Sequence, residues 1–316
     1  MLILRRILLT MAMLLLIVYM GLIVFAYWPY GEGIPVAELA DEDDLFVTVD
    51  GISLRYQTWG TPQPDQPTIV LLHGFANSVY TFRQLGPLLG ENHYVLAVDL
   101  PGFGLSDKPD DHDYGNISQA NVVEAFIRIL GLEQVIIGGH SLGGTLAVHL
   151  AIDTPEIIGV FLMNPGIIST GVPPATQYMV FPFPRIAAKT FADRAFRERF
   201  LKMGFVNDDL VTEEVMDETM LATQTPDYIA GATQLMRYYV AGDELAMLDD
   251  IRVPVLIIWG ALDSNKPAGE GQQIQKLIPN SKLVVIDHVG HYVHEEATEQ
   301  TAAAVVAAKG FWAQRR

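Results

Sequence analysis

The chain has 316 residues, half of them hydrophobic, so it can bury a larger core than a small disulfide-stapled module. It carries 37 acidic and 20 basic residues, and the resulting net charge of −17 would repel a phosphate backbone, which argues against nucleic acid as a partner. It contains no cysteine, which excludes disulfides, thiolate metal sites and cysteine nucleophiles.

The first predicted element is an apolar segment of 22 residues without a charge, from Ile7 to Trp28. At about 1.5 Å per helical residue, this length crosses a hydrocarbon layer of roughly 30 Å. Arg5 and Arg6 precede the segment and acidic residues follow it. This asymmetry predicts a single-pass membrane helix, with the N-terminus in the cytoplasm and the remaining chain on the periplasmic or extracellular side. A cleaved signal peptide is the alternative, although its apolar region usually has only about 7–15 residues.

Three parts of the chain are therefore predicted: a membrane anchor at 1–28, an acidic linker at 29–44 and a folded domain at 45–316. The anchor contains two of the bases and none of the acids, which leaves a net charge of −19 on the rest. Such an acidic surface mainly favours solubility.

In the folded domain, short apolar runs alternate with longer helical patterns, which is typical of an α/β protein with a parallel sheet. Asp50-Gly51 between the first two runs predicts a hairpin, and hence an antiparallel opening pair. Eight strands are predicted, at 45–49, 52–59, 68–72, 94–99, 135–138, 160–163, 255–259 and 282–287. Helices are predicted between most of them, at 78–89, 118–130, 142–153, 267–278 and 295–313.

Between residues 164 and 253 the strand pattern stops, while helical periodicity continues. An unstructured loop of this length is implausible in a folded domain, so a helical cap inserted at about 165–252 is predicted. Some apolar residues of this insertion either pack the cap onto the sheet, line a substrate pocket or touch the membrane. These pocket candidates are Tyr178, Met179, Phe181, Phe183, Met236 and Tyr239.

A G-x-S-x-G motif, Gly139-His140-Ser141-Leu142-Gly143, lies between a predicted strand and a predicted helix. In this context the motif forms a sharp turn that lifts the serine to the carboxyl edge of the sheet, and the glycines leave room for the turn. Ser141 is thus the candidate nucleophile.

A serine hydroxyl needs a general base to accept its proton. His291 follows the last predicted strand and is the candidate base, with His288 and His294 as nearby competitors. The base in turn needs a carboxylate that holds its orientation. Asp263 follows the strand at 255–259 and is the candidate acid, and Asp287 is the alternative.

Acyl transfer also needs donors for a developing oxyanion. The backbone N–H groups of Phe75, after the strand at 68–72, and of Leu142, at a helix N-terminus, are the candidates. No metal site is predicted, because the histidines lack a paired ligand spacing such as H-E-x-x-H.

Together with Leu72-His73-Gly74-Phe75 and with the segment from Asp99 to Ser106, these motifs resemble the α/β-hydrolase superfamily. The resemblance covers about residues 45–315 and is strongest for esterases, carbon–carbon hydrolases and cofactor-free perhydrolases. It implies an α/β-hydrolase fold with an eight-stranded, mostly parallel sheet, a helical cap after the sixth strand, and the triad Ser141, Asp263 and His291. Some members place the acid after the sixth strand, where this chain has Asn164-Pro165.

The expected function is that of a membrane-anchored serine hydrolase that needs no cofactor. Its expected substrate is a small carboxylic ester of apolar or lipid-like character, cleaved through an acyl-enzyme. A carbon–carbon bond hydrolase or an acyltransferase with the same triad is the runner-up. A catalytically silent binding protein on the same scaffold is the alternative of another class.

Overall fold

The computed structural model describes residues 2–64, 66–171, 176, 178–239 and 242–313. Within these residues, eight strands form one sheet in the order β1-β2-β4-β3-β5-β6-β7-β8. β1 and β4 pair antiparallel with β2, and all other neighbours are parallel, which confirms the predicted sheet. The strands are β1 Leu45–Val49, β2 Ile52–Trp59, β3 Thr68–Leu72, β4 Val95–Val98, β5 Val135–His140, β6 Ile157–Met163, β7 Val255–Gly260 and β8 Ser281–Ile286.

Helices cover both faces of the sheet. Successive side chains of a strand point to opposite faces, so Ile69 and Leu71 of β3 belong to one apolar cluster and Val70 and Leu72 to the other. Both faces of this central strand are buried, which is typical of parallel sheets. The helices outside the cap are α1 Leu2–Tyr27, α2 Val36–Leu39, α3 Leu85–Gly90, α4 Asn116–Ile129, α5 Leu142–Asp153, α11 Gly269–Leu277, α12 Val293–Glu296, α13 Thr298–Ala307 and α14 Lys309–Trp312.

Two helices expected from the sequence are divided in the structure. The segment predicted at 78–89 is a 3-10 turn, Val79–Phe82, followed by α3. The segment predicted at 295–313 is divided into α12, α13 and α14, and the break between α12 and α13 is at Ala297, which leaves the helical region with φ −136° and ψ 51°. Apolar periodicity continues across such a break, so the sequence pattern does not reveal it.

Five helices lie between β6 and β7 in the described part of this segment. They are α6 Phe183–Phe191, α7 Arg194–Lys202, α8 Glu213–Gln224, α9 Tyr228–Tyr238 and α10 Glu244–Met247. Asp193 has an extended backbone between α6 and α7, and its carboxylate accepts a hydrogen bond from Phe196 N at 2.8 Å and caps α7.

The N-terminal helix α1 is long and apolar, with a mean hydropathy of 2.8, and it is the one helix of the described chain that could span a membrane by length and composition. Its C-terminal end lies against α6. Arg185 Nε donates to Ala26 O at 2.9 Å, and Lys189 Nζ donates to Phe25 O at 2.8 Å. Cations at the C-terminus of a helix are favourable because its last carbonyls have no partner within the helix.

Candidate active site

Ser141 lies at the turn between β5 and α5 in a conformation that is rare for a residue with a side chain. Its φ is 50° and its ψ is −111°. A Cβ atom at Gly139 would collide with the Gly143 carbonyl, and one at Gly143 would collide with the Leu72 carbonyl. The two glycines of the motif therefore permit a strained turn, which is the expected geometry of a nucleophile elbow.

Asp263 and His291 form a hydrogen-bonded pair beside this turn. Asp263 lies in the loop after β7, and its Oδ2 is 2.7 Å from His291 Nδ1 in the loop after β8. Because a carboxylate only accepts hydrogen bonds, this contact assigns the ring proton to Nδ1 and leaves a lone pair on Nε2. Both side chains are buried.

Further donors fix the Asp263 carboxylate. Oδ1 accepts the backbone N–H groups of Asn265 at 2.8 Å and Lys266 at 2.9 Å, and Oδ2 also accepts Asn164 Nδ2 at 2.7 Å. Burial would raise the pKa of Asp263, but the hydrogen bonds from His291, Lys266 N and Asn164 outweigh it and hold the pKa below its usual range. The residue therefore stays ionised at neutral pH.

Burial lowers the pKa of His291 from its ordinary value of 6.5, and the nearby Lys266 cation lowers it further, while Asp263 opposes both effects. The imidazole is therefore neutral in the resting protein at neutral pH. A neutral imidazole with a free lone pair is the form that can accept a proton from a hydroxyl.

The competing residues lie elsewhere. His288 and Asp287 are exposed. His294 is buried and its Nε2 lies 2.7 Å from Thr81 Oγ1, while burial lowers the pKa of His294 to about 3. His140, whose ring centroid is 4.7 Å from that of His291, keeps a neutral ring because burial lowers its pKa well below the ordinary value.

The two predicted oxyanion donors occupy neighbouring loops. Within the described residues, neither the Phe75 N–H nor the Leu142 N–H donates to a protein group. Gly143 N donates to His73 O at 3.1 Å, and this bond joins the two loops. His73 Nδ1 lies 2.8 Å from Gly74 O and Nε2 accepts Leu100 N at 3.1 Å, so this ring supports the loop.

A second support for the Phe75 loop is Asp99, which is fully buried. Its two oxygens accept Val79 N at 2.7 Å and Leu105 N at 2.8 Å, so the carboxylate joins the loops after β3 and β4. Arg55 Nη1 lies 3.5 Å from it and compensates part of its charge. Asp99 is thus a structural residue.

A cavity of about 490 Å³ contains Ser141 and His291 in its wall. Of the pocket candidates, Met179, Met236 and Tyr239 line it, whereas Tyr178, Phe181 and Phe183 are exposed at the surface and do not belong to its described lining. Residues that the sequence analysis did not assign to the pocket complete much of the wall: Phe75, Phe191, Phe196, Phe200, Asn265 and Lys266. The periodicity of α7 indicated a helix there but not which partner its aromatic residues face.

Asn164 is a site residue that sequence reasoning missed. It has a positive φ of 43°, and its side chain donates to Asp263 while accepting Gly260 N at 3.2 Å. Its position after β6, where some family members carry the acid, was the only available signal. The structure brings this position and Asp263 into direct contact because β6 and β7 are neighbours in the sheet.

The fold and this site define the class of protein: a hydrolase built on a mostly parallel α/β sheet, with a helical cap over the carboxyl edge. The family model described as the alpha/beta hydrolase fold matches residues 67–298, and the chain belongs to this family.

Relatives with known names are similar over most of the chain. The hydrolase YugF of Bacillus subtilis is 28% identical over 80% of this chain and 92% of its own length. Lipase 1 of Psychrobacter immobilis is 24% identical over 74% of each chain. The crystal structure of a bacterial membrane phospholipase A matches with a TM-score of 0.68 at 22% identity, covering 98% of this chain and 100% of its own.

Proposed function

We propose that this hydrolase is a serine esterase that cleaves apolar, lipid-like carboxylic esters through an acyl-enzyme while its N-terminal helix holds it at a membrane. The observation that carries the proposal is the convergence of three groups: Ser141 on a strained turn, and the Asp263–His291 pair, with Ser141 and His291 in the wall of one cavity. This arrangement has the parts that activated-serine chemistry needs.

In the acylation step, Ser141 Oγ attacks the ester carbonyl carbon and its proton moves to His291 Nε2. The carbonyl oxygen becomes an oxyanion, which the Phe75 and Leu142 N–H groups stabilise. Asp263 stabilises the imidazolium that forms. The bond from carbon to the alcohol oxygen then breaks, and His291 returns its proton to the departing alcohol.

In the deacylation step, a water molecule takes the place of the alcohol. His291 accepts one proton from the water as its oxygen attacks the acyl carbon. The bond to Ser141 Oγ then breaks, His291 protonates the serine, and the carboxylic acid leaves. The serine, the neutral histidine and the ionised aspartate are restored, so no cofactor is consumed.

The composition of the cavity supports an apolar acyl group. Phe75 lies in an aromatic cluster, with ring centroids 5.3 Å from Phe191, 6.4 Å from Phe200 and 4.9 Å from Tyr239. Burial of methylene groups in such a lining is favourable by about 0.8 kcal/mol each. The relatives named as a lipase and a phospholipase A are consistent with an ester of this kind.

The exposed, apolar helix α1 supports the anchor. The similarity to the membrane phospholipase A structure covers 98% of this chain. Arg5 and Arg6 before the helix favour a topology with the sheet domain outside the cytoplasm. A reporter fused after the C-terminus tests this topology: an exported alkaline phosphatase should be active there, and a reporter that is active only in the cytoplasm would refute it.

The decisive experiment uses a fluorophosphonate probe on the full-length protein in detergent. The wild-type protein should form one adduct, located on Ser141 by mass spectrometry, and should hydrolyse short p-nitrophenyl esters faster than a vinylogous diketone. Ser141→Ala should remove the adduct and lower kcat by about 10⁴-fold or more, with little change in melting temperature. Absence of an adduct on well-folded wild-type protein would refute the esterase and support a binding role.

A further inference from the structure

Lys266 has a buried side chain in the wall of the cavity. The proposed reaction gives this cation no role. Lys266 is 3% exposed, and it comes three residues after Asp263 in the chain. Its ammonium nitrogen lies beside Gly171 in the same wall, where a methyl group on the glycine would be 3.6 Å from it. Lys266 therefore presents a positive charge at the cavity.

The ammonium has no protein acceptor among the described residues. Among the described residues, no carboxylate oxygen lies within 4.0 Å of Lys266 Nζ, the limit for an ion pair. Lys266 Nζ also donates no hydrogen bond to any of these residues. Two acids, Asp263 and Glu270, act on the Lys266 charge through space, and both are bound to other groups. Asp263 binds His291 and Asn164, and Glu270 accepts Ser169 N at 3.1 Å.

Burial of the Lys266 side chain lowers the pKa of its ammonium, and an ammonium that loses water without gaining an acceptor is costly, so a protein that retains one usually provides it with a partner. The backbone of Lys266 is held on both sides: its N–H donates to Asp263 Oδ1 and its carbonyl accepts Trp259 Nε1 at 3.0 Å. The start of the side chain is thus fixed, and the cavity is the space from which a partner can come.

The order of the strands determines which part of the substrate reaches Lys266. Ser141 follows β5, Phe75 of the aromatic cluster follows β3 on one side of it, and Lys266 follows β7 on the other side. His291, which would protonate the leaving alcohol, follows β8, next to β7. The acyl group therefore belongs on the Phe75 side and the alcohol on the Lys266 side.

We propose that Lys266 is a specificity-determining residue that binds an anionic oxygen group, a phosphate or a carboxylate, on the alcohol part of the ester. The proposal rests on the proposed esterase function and narrows its substrate class to amphiphilic esters with an apolar acyl chain and a negatively charged alcohol. The cation adds no step to the chemistry, because it holds the alcohol where His291 can protonate it.

Two matched pairs of esters test the proposal. Each ester is used below its critical micelle concentration. Hexanoylglycerol phosphate is compared with hexanoylglycerol, and hexanoyloxyacetate with hexanoyloxyacetamide, and hexanoate release is measured. Wild-type protein should prefer the charged member of at least one pair, and the pair that shows the preference identifies the anion. Lys266→Met should lower kcat/KM for that charged ester by about 10- to 100-fold and for its neutral partner by less than about threefold.

Lys266→Arg should restore most of the preference, because it keeps the charge, and Lys276→Met, on the exposed end of α11, should leave it unchanged. An equal loss on both members of a pair, or a wild-type protein without charge preference, would overturn the role of Lys266 and leave the esterase intact. A wild-type protein that hydrolyses none of the four esters would instead refute the esterase, and this inference with it.

A measurement on the wild-type protein alone guards against a Lys266→Met variant that does not fold. Glycerol phosphate, or glycolate if the carboxylate pair shows the preference, should inhibit competitively. Glycerol or glycolamide at the same concentration should have little effect. Equal inhibition by charged and neutral alcohols would contradict an anion site at Lys266.

Discussion

On one side of the cavity, polar atoms lie 2.7 to 2.9 Å apart in a set of directional hydrogen bonds around Asp263. On the cap side, the ring centroid of Phe191 lies 5.1 Å from that of Phe196 and 5.2 Å from that of Phe200, in contacts that have no donors or acceptors. We refer to the first as the sheet wall and to the second as the cap wall. Reacting groups must keep their positions within tenths of an ångström, whereas an acyl pocket only has to exclude water and fit a shape.

The cap wall is joined to the rest of the domain by Arg197, a buried cation on α7 whose hydrogen-bond partners in the described part of the chain are all neutral. Its guanidinium donates to Phe191 O at 2.8 Å, Thr219 O at 3.1 Å and the Tyr228 hydroxyl at 2.6 Å. It also reaches Ala76 O, at 3.5 Å, in the loop that carries Phe75. Arg197 thus connects three cap segments to the loop that carries Phe75, the proposed oxyanion donor.

The largest effect that distinguishes the sheet wall from the cap wall is expected when the charge of Asp263 is removed. Asp263→Asn keeps the shape of the side chain but cannot stabilise an imidazolium, and we expect kcat to fall by about 10⁴-fold. Ester turnover at saturating substrate measures it. The exposed Asp287→Asn is the matched control and should retain wild-type activity. If Asp287→Asn loses activity and Asp263→Asn retains it, Asp287 is the acid and the assignment of Asp263 in the sheet wall is wrong.

A smaller effect is expected when Asn164, the second side chain that donates to Asp263, is replaced. Asn164→Gly removes the amide donor while tolerating the positive φ of 43°. We expect kcat to fall by about 10-fold with KM nearly unchanged, because a donor worth about 1.5 kcal/mol to a charged acceptor is lost. The melting temperature should also fall. An unchanged kcat in a folded variant would show that the carboxylate needs only its remaining donors.

The cap wall should respond in KM and in chain-length preference. Phe200→Ala removes a ring from the aromatic cluster, so kcat/KM for a hexanoyl or octanoyl p-nitrophenyl ester should fall by about five- to tenfold, and that for the acetyl ester by less than twofold. Phe183→Ala, which changes an exposed ring of α6, is the control and should leave both values near wild type. A uniform loss for all chain lengths would contradict an acyl pocket in the cap wall.

The smallest effect concerns pH. Burial lowers the pKa of His291 from 6.5, so the neutral base persists into mildly acidic solution and is lost only as the pH falls through this lowered pKa. The acid limb of kcat/KM should therefore have its midpoint below 6.5. Lys266→Met removes one lowering influence and should move the midpoint upward. A wild-type midpoint above 6.5 would show that another group controls the reaction.

The sheet wall was more predictable from the sequence than the cap wall. Ser141 and Asp263 each follow a buried strand, and His291 follows β8, the last strand of the sheet. The carboxyl ends of parallel strands lie at the same edge of a sheet, so local patterns predicted that the three residues would meet. Asn164 and Lys266 were not predicted from the sequence as site residues, because their positions in the site depend on contacts between neighbouring loops. Tyr178, Phe181 and Phe183 lie between or beside prolines, where no helical period indicates which way an apolar side chain points.

The contacts between α1 and α6 give the enzyme a particular mechanical organisation. Arg185 and Lys189 of α6 bind the last carbonyls of α1, and Ile34 N donates to Gln224 O of α8 at 2.7 Å, so the N-terminal segment is fastened to the cap at two separated points. With α1 anchored in a membrane as proposed, a hinge between cap and sheet would leave the cap stationary with respect to the lipid bilayer, and the sheet domain with Ser141 would be the part that moves.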